Sequence, residues 1–514
     1  MFVRCFTGSI VGIDAIKVDV EVNLSPGMGM FLVGLPDNAV RESSERIRSA
    51  FLNCGLKMPG RKTVVNLAPA DLKKEGSALD LAIAVGILAA SEQIPTEGLD
   101  RWIIAGELSL DGGVKPIRGA LPLAIAARRE GFGGVILPSA NAEEAAVVEG
   151  IDVIGVDTIA QTAAFLSGTE SISPTHIAVR ELFEQNANRY TDDFSDVRGQ
   201  AYAKRALEIA AAGGHNILMI GSPGSGKTML ARRMPTIMPP LEIDEALETT
   251  KIHSVAGKLG SERGLMTTRP FRSPHHMASA VALVGGGSNP QPGEISLAHN
   301  GILFLDELPE FGRSILEVLR QPLEEKRITV SRAKYSVVYP ANFMLVAAMN
   351  PCPCGYYNHP TRECVCSRFA VEKYINKISG PLLDRIDIQI EVTPVPNAEM
   401  IESHTEEPSE RIRERVVEAR RRQAERFAHI EGVHTNAMMN RKMMQEFCRI
   451  DEPSKTLLSR AMERLSLSAR AYDRIIKVAR TIADLDHKEN IEASHIAEAI
   501  GYRNLDRAGW GAKQ

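Results

Sequence analysis

An eight-residue glycine-rich segment, residues 221–228, constrains this chain more than any other feature of its sequence. It has the pattern G-x-x-x-x-G-K-T, and the apolar residues 216–220 before it are typical of a buried strand. The glycines let backbone N–H groups close around phosphate oxygens, and a helix that follows offers its positive end to the same anion. We expect Lys227 to reach the β- and γ-phosphates of ATP and the Thr228 hydroxyl to ligate Mg²⁺.

A second stretch, residues 301–307, is an apolar run that ends in two adjacent carboxylates, Asp306 and Glu307. Continuous apolar residues are typical of a buried parallel strand, which delivers the residues after it to the carboxyl edge of a sheet. We expect Asp306 to hold Mg²⁺, directly or through water, and Glu307 to polarise the attacking water. Adjacent acids are also common on surfaces, so this interpretation depends on the glycine-rich segment. The predicted nucleotide-binding residues are Gly221, Ser222, Pro223, Gly224, Ser225, Gly226, Lys227, Thr228 and Asp306.

The composition is that of an ordinary soluble protein of more than one domain, with 514 residues, 44% of them hydrophobic and 24% charged. A net charge of −4 gives no overall attraction to nucleic acid or anionic membranes, so any such binding must be local. The first residues do not form a signal peptide, and the apolar residues 78–90 are too few to cross a bilayer. We therefore expect a cytoplasmic protein without membrane partners.

The distribution of apolar runs and breaker residues predicts an α/β fold in four segments. Residues 1–170 alternate strand-like and helix-like runs, which indicates one α/β domain. Residues 171–195 are polar and rich in turn-forming residues, so we interpret them as a linker. Residues 196–395 form a second α/β domain that contains both phosphate-handling motifs, and residues 396–514 are expected to be helical.

Four of the seven cysteines form two C-x-C pairs within fifteen residues: Cys352, Cys354, Cys364 and Cys366. A disulfide framework is not expected in a cytosolic chain. Four thiolates on one short loop suit a tetrahedral structural Zn²⁺ site, with His359 as a reserve ligand, although C-x₂-C is the commoner spacing. The alternatives are four reduced cysteines without a metal, or a redox pair.

Three further stretches resemble AAA+ ATPases of the branch that contains the magnesium-chelatase ATPase subunit and the MCM helicases, and within it the ComM/YifB group. They are residues 269–276 (RPFRSPHH), 292–301 (PGEISLAHNG) and 380–387 (GPLLDRID). The resemblance extends over essentially the whole chain. It implies an AAA+ P-loop NTPase core with magnesium-chelatase-like inserts, a C-terminal helical lid, and assembly into a homo-oligomeric ring, a hexamer.

The resemblance also assigns catalytic residues outside the two motifs. Asn350 matches the sensor-1 residue that helps to place the attacking water. Arg385 matches the arginine finger that acts on ATP bound by the neighbouring subunit, and Arg470 matches the sensor-2 arginine of the lid, expected to serve the ATP of its own subunit. A guanidinium neutralises charge that develops on the γ-phosphoryl group. The alternatives are an ordinary ion pair for Arg385 and a solvated helix face for Arg470. The catalytic set is thus Lys227, Glu307, Asn350, Arg385 and Arg470.

Two inserted segments, at about residues 253–287 and at residues 327–338, resemble inserts of the same branch of AAA+ ATPases. In related helicases, a hairpin like the second one lines the pore of the ring and grips nucleic acid. Arg332 and Lys334 share one face of an extended strand, an arrangement that suits contact with DNA phosphates. The alternative is a solvated hairpin with a polar tip, because the charge there is local and modest.

Residues 1–170 resemble the peptidase domain of Lon, which has the ribosomal-protein S5 domain 2-like fold, over residues 74–82 and 106–119. Lon needs a serine nucleophile and a lysine of lowered pKa. Here the serine position is Ala78 and the lysine position is Leu121, so we expect a protease-inactive domain with a binding or assembly role. Ser77 lies one residue away, and Lys74 or Lys115 could be combined with it as a dyad. A shift of one residue, however, points a side chain elsewhere.

The resemblance implies a Mg²⁺-dependent ATPase ring that translocates on single-stranded or branched DNA. By likeness to the ComM/YifB group, it would promote branch migration in recombination and natural transformation. One alternative is a chaperone ATPase like the chelatase subunit, which remodels a protein partner. Another is an active ATP-dependent protease.

Overall fold

The computed structural model describes residues 1–186, 190–259, 264–287, 290–332, 335–359, 361–395, 406–465 and 467–503. The chain divides into two compact units. The first contains Met1–Ala187 together with Glu242–Thr267, and the second contains Asn188–Leu241 together with Thr268–Gln514.

The first unit is built on a seven-stranded mixed sheet with the order β3-β4-β2-β1-β5-β8-β9. Its strands are β1 (Phe2–Val11), β2 (Asp14–Ser25), β3 (Met30–Val33), β4 (Lys62–Ala68), β5 (Trp102–Ile104), β8 (Gly134–Pro138) and β9 (Asp152–Val156), with β6 (Glu107–Leu108) and β7 (Val114–Lys115) as a separate pair. Its helices are Asn38–Arg41, Ser43–Asn53, Asp80–Ala90, Ala120–Arg129, Ser139–Ala145, Ile159–Leu166, Val179–Asn186 and Ile243–Ala256.

The most apolar stretch of the sequence forms the central helix of this unit, Asp80–Ala90, and every residue in it is buried. Its one charged residue, Asp80, accepts hydrogen bonds of 2.6 and 2.9 Å from Arg46. At Gly86 a Cβ atom would lie 2.7 Å from the Val22 side chain, so a glycine lets the helix approach the sheet closely. Among the described residues, no helix is both long enough and apolar enough to cross a membrane.

The second unit contains a five-stranded parallel sheet with the order β11-β14-β17-β10-β18. Its strands are β10 (Ile217–Ile220), β11 (Phe271–Arg272), β14 (Ile302–Leu305), β17 (Met344–Met349) and β18 (Ile388–Glu391). The short strand pairs are β12 (Gly285–Gly286) with β13 (Gln291–Pro292) and β15 (Arg327–Arg332) with β16 (Tyr335–Pro340). Burial of β10, β14 and β17 on both faces explains their continuously apolar sequences. The predicted α/β class is confirmed.

The helices of the second unit pack against this sheet and against one another. They are Ala201–Gly213, Lys227–Ile237, Ala280–Val284, Glu294–Leu297, Arg313–Val318, Arg320–Glu325, Arg368–Ile375, Gly380–Leu383, Ser409–Phe427, Arg441–Phe447, Glu452–Leu465, Ala469–Leu485 and Ala493–Gly501. The sheet and the helices after residue 406 share one hydrophobic core.

A buried polar contact joins the carboxyl-terminal helices to the sheet. The His215 ring lies 3.3 Å from the Asp387 carboxylate and 2.8 Å from the Thr481 hydroxyl. Burial acts to raise the pKa of Asp387, but Arg474, 2.8 Å away, together with His215 holds it well below its ordinary value. Asp387 is therefore charged, and it fixes helix Ala469–Leu485 to the start of β18.

Candidate functional site

Three strands of the parallel sheet deliver the predicted residues to one edge. β10 ends directly before the loop of residues 221–228, β14 ends directly before Asp306, and β17 ends directly before Asn350. β10 pairs with β17, and β17 pairs with β14, all in parallel register. The two motifs and Asn350 therefore meet at the carboxyl edge of the sheet, where open α/β sheets bind their ligands.

The loop conformation depends on its glycines. Gly224 and Gly226 have φ values of +79° and +89°, a region in which residues with a Cβ atom are strained. At Gly221 a Cβ atom would lie 2.3 Å from the carbonyl oxygen of Val392, so no side chain fits there. Helix Lys227–Ile237 begins immediately after Gly226 and points its N-terminal end at the loop.

Lys227 is buried inside this loop. Its Nζ donates hydrogen bonds to the carbonyl oxygens of Gly221 and Ser222, at 2.7 and 2.9 Å, and lies 3.4 Å from Oδ1 of Asn350. Burial lowers the pKa of Lys227, while Asp306 and the adjacent Glu307 act to raise it. The ammonium group thus connects the loop to the end of β17.

Thr228 and Asp306 form a pair of oxygen donors beside Lys227. The Thr228 hydroxyl donates to Oδ2 of Asp306 at 2.7 Å, and Oδ1 of Asp306 accepts the backbone N–H of Glu307 at 2.9 Å. A hydroxyl and a carboxylate are the hard oxygen ligands that Mg²⁺ prefers, so these two residues fit a Mg²⁺ site.

Glu307 has a contact that the sequence analysis missed. Nδ1 of His276 lies 3.2 Å from Oε2 of Glu307, and the Glu307 side chain is half exposed. The backbone of Glu307 is left-handed, with φ of +51°, which is uncommon for a residue other than glycine. The sequence of residues 269–276 resembles a family motif, but that motif does not indicate a contact with Glu307.

Arg385 and Arg470 lie at the opposite, amino edge of the sheet. Asn216, which precedes β10, donates to the carbonyl oxygen of Arg385 at 2.9 Å, and β18 begins shortly after Arg385. The four residues of β10 separate the two edges by at least about 10 Å, since a strand rises about 3.3 Å per residue. Nη1 of Arg470 lies 2.8 Å from Oδ2 of Asp384, the residue before Arg385.

This position does not bring Arg470 to the phosphate-binding loop of its own subunit, and its role stays a prediction. The side chain of Arg470 is exposed and lies beside Arg385, away from residues 221–228. Arg385 itself is almost buried, donates to the carbonyl oxygen of Pro381 at 2.6 Å and pairs with Glu324. The start of helix Ala469–Leu485 is placed by the ion pair between Arg474 and Asp387, which a sequence motif does not specify.

The sulfur atoms of the four clustered cysteines all lie within 4.8 Å of one another. The Sγ atom of Cys352 lies 3.4 Å from that of Cys354 and 3.7 Å from that of Cys364, and the latter two are 3.6 Å apart. A tetrahedron with Zn–S bonds of about 2.3 Å has edges of about 3.8 Å, whereas a disulfide is about 2.05 Å long. The cluster can therefore hold a metal ion. Nδ1 of His359 instead accepts backbone N–H groups of its own loop.

The cysteine loop lies against the phosphate-binding loop. At Gly355, whose φ is +83°, a Cβ atom would lie 2.6 Å from Cδ of Pro223. Burial acts to raise the pKa of Cys354, but a backbone hydrogen bond from Tyr356 and a contact with Cys352 lower it to about 6. A lowered pKa favours the thiolate, which is the form that binds metals.

Two further predictions concern other parts of the chain. β15 and β16 form the predicted hairpin, but the side chain of Arg332 and the whole of Lys334 lie outside the described residues.

In the first unit, Leu121 is fully buried, the Ser77 hydroxyl donates to Glu107, and Lys74 donates to the carbonyl oxygen of Pro69. Ser77 and Lys74 thus have different partners.

In this parallel sheet β10 leads into a glycine-rich loop and a helix, the adjacent β17 ends before Asn350, and β14 beyond it ends before two carboxylates. This arrangement is that of a P-loop ATPase of the AAA+ type. Models of the magnesium-chelatase family match most of the chain. "Magnesium chelatase, subunit ChlI" matches residues 193–400, "Subunit ChlI of Mg-chelatase" matches residues 20–141, and "Magnesium chelatase, subunit ChlI C-terminal" matches residues 406–503.

Comparison with known proteins identifies the particular family. The chain is 43% identical to the competence protein ComM of Haemophilus influenzae, over 98% of this chain and 97% of that protein. It is 42% identical to YifB of Escherichia coli over the same shares of the two chains. It is 26% identical to the magnesium-chelatase 67 kDa subunit of Chlorobaculum tepidum, over 39% of this chain and 27% of that protein. The chain therefore belongs to the ComM/YifB family of magnesium-chelatase-like AAA+ ATPases.

Proposed function

We propose that this protein is a ring-forming, Mg²⁺-dependent ATPase that translocates on DNA and promotes branch migration of recombination intermediates, as in natural transformation. The observation that carries the ATPase part is the meeting of Lys227, Thr228, Asp306 and Asn350 at one sheet edge. The full-length similarity to a competence protein supports the DNA part.

The residues of the carboxyl edge suggest how hydrolysis proceeds. Lys227 exchanges the carbonyl oxygens of its own loop for oxygens of the β- and γ-phosphates. Thr228 and Asp306 hold Mg²⁺, which neutralises charge on the same phosphates when it is bound. Glu307 accepts a hydrogen bond from the attacking water, and Asn350 fixes the position of that water.

The two arginines of the amino edge act on a neighbour. In a head-to-tail ring, one edge of each subunit faces a different edge of the next, so the contact is heterologous. Because Arg385 and Arg470 lie together at the amino edge, we place both in the site formed by the loop of the adjacent subunit. Hydrolysis then requires assembly, and we expect a hexamer.

The four cysteines hold a structural Zn²⁺ ion in this proposal. We expect the purified protein to contain about one zinc per chain by elemental analysis, because the sulfur separations match a tetrahedral site. Cys364→Ser should lower the zinc content to near zero, since three thiolates hold the metal far more weakly. Cys54→Ser, outside the cluster, is the control and should retain zinc. A wild-type protein without metal would contradict the proposal.

DNA-dependent ATP turnover tests the function directly. We expect branched DNA to raise ATP turnover about fivefold or more, a typical coupling between two sites. Replacing both Arg332 and Lys334 by alanine should remove this stimulation and lower the slope of log affinity against log salt by about 1.8, because two phosphate contacts are lost. A matched control replaces Arg421 and Lys455, which lie in exposed ion pairs on helices.

The alternative outcomes identify the rival functions. Turnover that no DNA stimulates, but that a protein partner raises, would favour a chaperone ATPase like the chelatase subunit.

For the first unit we propose a Lon-like binding or assembly domain, since Ala78 and Leu121 lack the groups that peptide hydrolysis needs. Degradation of casein in the presence of ATP would contradict this assignment.

A further inference from the structure

Cationic side chains line a cavity of about 220 Å³ in the second unit, beside the amino edge of the sheet. They are Arg385, Arg441, Arg470, Arg474 and Lys477. The acidic side chains of the same cavity are fewer: Glu324, Asp384 and Asp473. This excess of positive charge favours an anion as the occupant of the cavity.

Three of the arginines reach the cavity from separate parts of the chain. Arg385 lies just before β18, and Arg470 lies in the first turn of its helix. Arg441 is the first residue of helix Arg441–Phe447, and Met444 of that helix belongs to the hydrophobic core of the unit. The packing of Met444 therefore holds Arg441 at the cavity, although no motif marks this arginine.

The guanidinium of Arg441 is available to a ligand. Arg385 pairs with Glu324, and Arg470 pairs with Asp384. The side chain of Arg441 is exposed, and within the part of the chain that the structure describes it makes no ion pair or hydrogen bond. An anion that enters the cavity must displace carboxylates from Arg385 and Arg470, whereas Arg441 can donate to it at once.

We propose that Arg441 is a further catalytic residue, which donates to the γ-phosphate of ATP bound by the neighbouring subunit. This inference rests on the proposed action of Arg385 and Arg470 on that ATP: because one cavity holds all three arginines, a phosphate that reaches the first two also meets the third. The chemical step is the same hydrolysis, in which water attacks the γ-phosphorus atom and ADP leaves with the bridging oxygen. Arg441 neutralises charge that develops on the transferring group.

The test begins with ATP turnover of full-length variants. Arg441→Ala should lower kcat about 10²-fold, as for the loss of one donor to developing charge, with little change in the KM for ATP. Arg441→Gln removes only the charge and should show the same loss, whereas Arg441→Lys keeps the charge and should retain most of the turnover. Lys442→Ala is the control, because Lys442 is exposed on the same helix but does not line the cavity.

Mixtures of subunits separate action on the neighbour from a structural role. With equal amounts of Arg441→Ala and Lys227→Ala, about one quarter of the junctions join an intact loop to a neighbour that supplies Arg441. Turnover should then exceed several-fold the mean of the two variants assayed apart. Arg441→Ala mixed with Arg385→Ala should show no such gain, since every junction lacks one guanidinium. A merely structural defect would stay within its own subunit and give no gain with Lys227→Ala.

Three results would overturn the role of Arg441. They are wild-type turnover in Arg441→Ala, no gain in its mixture with Lys227→Ala, and a gain in its mixture with Arg385→Ala. If Arg441→Ala does not assemble or has a lower thermal midpoint, the same mixtures made with Arg441→Gln decide the question. The proposed function fails by a different result, equal turnover in Lys227→Ala and the wild type.

Discussion

Replacing Lys227 by alanine is expected to lower ATP turnover by about 10²- to 10³-fold. The Nζ of Lys227 is the buried cation of the loop, and its two strong hydrogen bonds go to loop carbonyl oxygens that a phosphate replaces. Without this charge, the negative charge that develops on the transferring phosphoryl group is not neutralised at the point where it is largest.

Phosphate release at saturating ATP measures this effect, and the wild-type thermal midpoint must be retained for the comparison to hold. Lys455→Ala is the matched control, because Lys455 is exposed on a distant helix and pairs only with its neighbour on that helix, Glu452, among the described residues. Equal turnover in Lys227→Ala and wild type would overturn the assignment of the whole carboxyl edge, including Thr228 and Asp306.

The meeting of these residues at the carboxyl edge could be predicted because they lie in contiguous motifs. Residues 221–228 need glycines for a conformation that few other sequences allow, and residues 301–307 join a buried strand to its carboxylates. The cysteine pairs likewise predicted a cluster, since short spacing forces sulfur atoms together. The tetrahedral separations could not be predicted, because C-x-C pairs fold in several ways.

Contacts between segments far apart in sequence could not be predicted. β11 has only two residues and no periodic signal, yet it brings His276 to Glu307. The packing of helix Ala469–Leu485 places Arg470 beside Asp384. The sequence around Arg470 does not indicate this packing. Helix Ile243–Ala256 follows the phosphate-loop helix in sequence but belongs to the first unit, where Lys251 pairs with Asp14 at 2.5 Å.

Arg385→Ala is expected to lower ATP turnover by about 10³- to 10⁵-fold while ATP binding is retained, as for other arginine fingers. Binding is retained because Arg385 lies at the amino edge and the nucleotide is held at the carboxyl edge of the same sheet. Filter binding of labelled ATP and phosphate release measure the two properties. A variant that loses both would place Arg385 in the site of its own subunit.

Rings assembled from two variants show whether each arginine acts on the ATP of its own subunit or on that of the neighbouring subunit. When Arg385→Ala and Lys227→Ala subunits are combined in equal amounts, about one quarter of the junctions pair an intact loop with an intact finger, so turnover should recover in part. Arg470→Ala mixed with Lys227→Ala should recover in the same way, because Arg470 lies beside Arg385. Arg385→Ala mixed with Arg470→Ala should show no recovery, since every junction lacks one of the two guanidinium groups that a single neighbour supplies. Recovery in that last mixture would mean that Arg470 serves its own subunit and that its position beside Asp384 is not the one in the working ring.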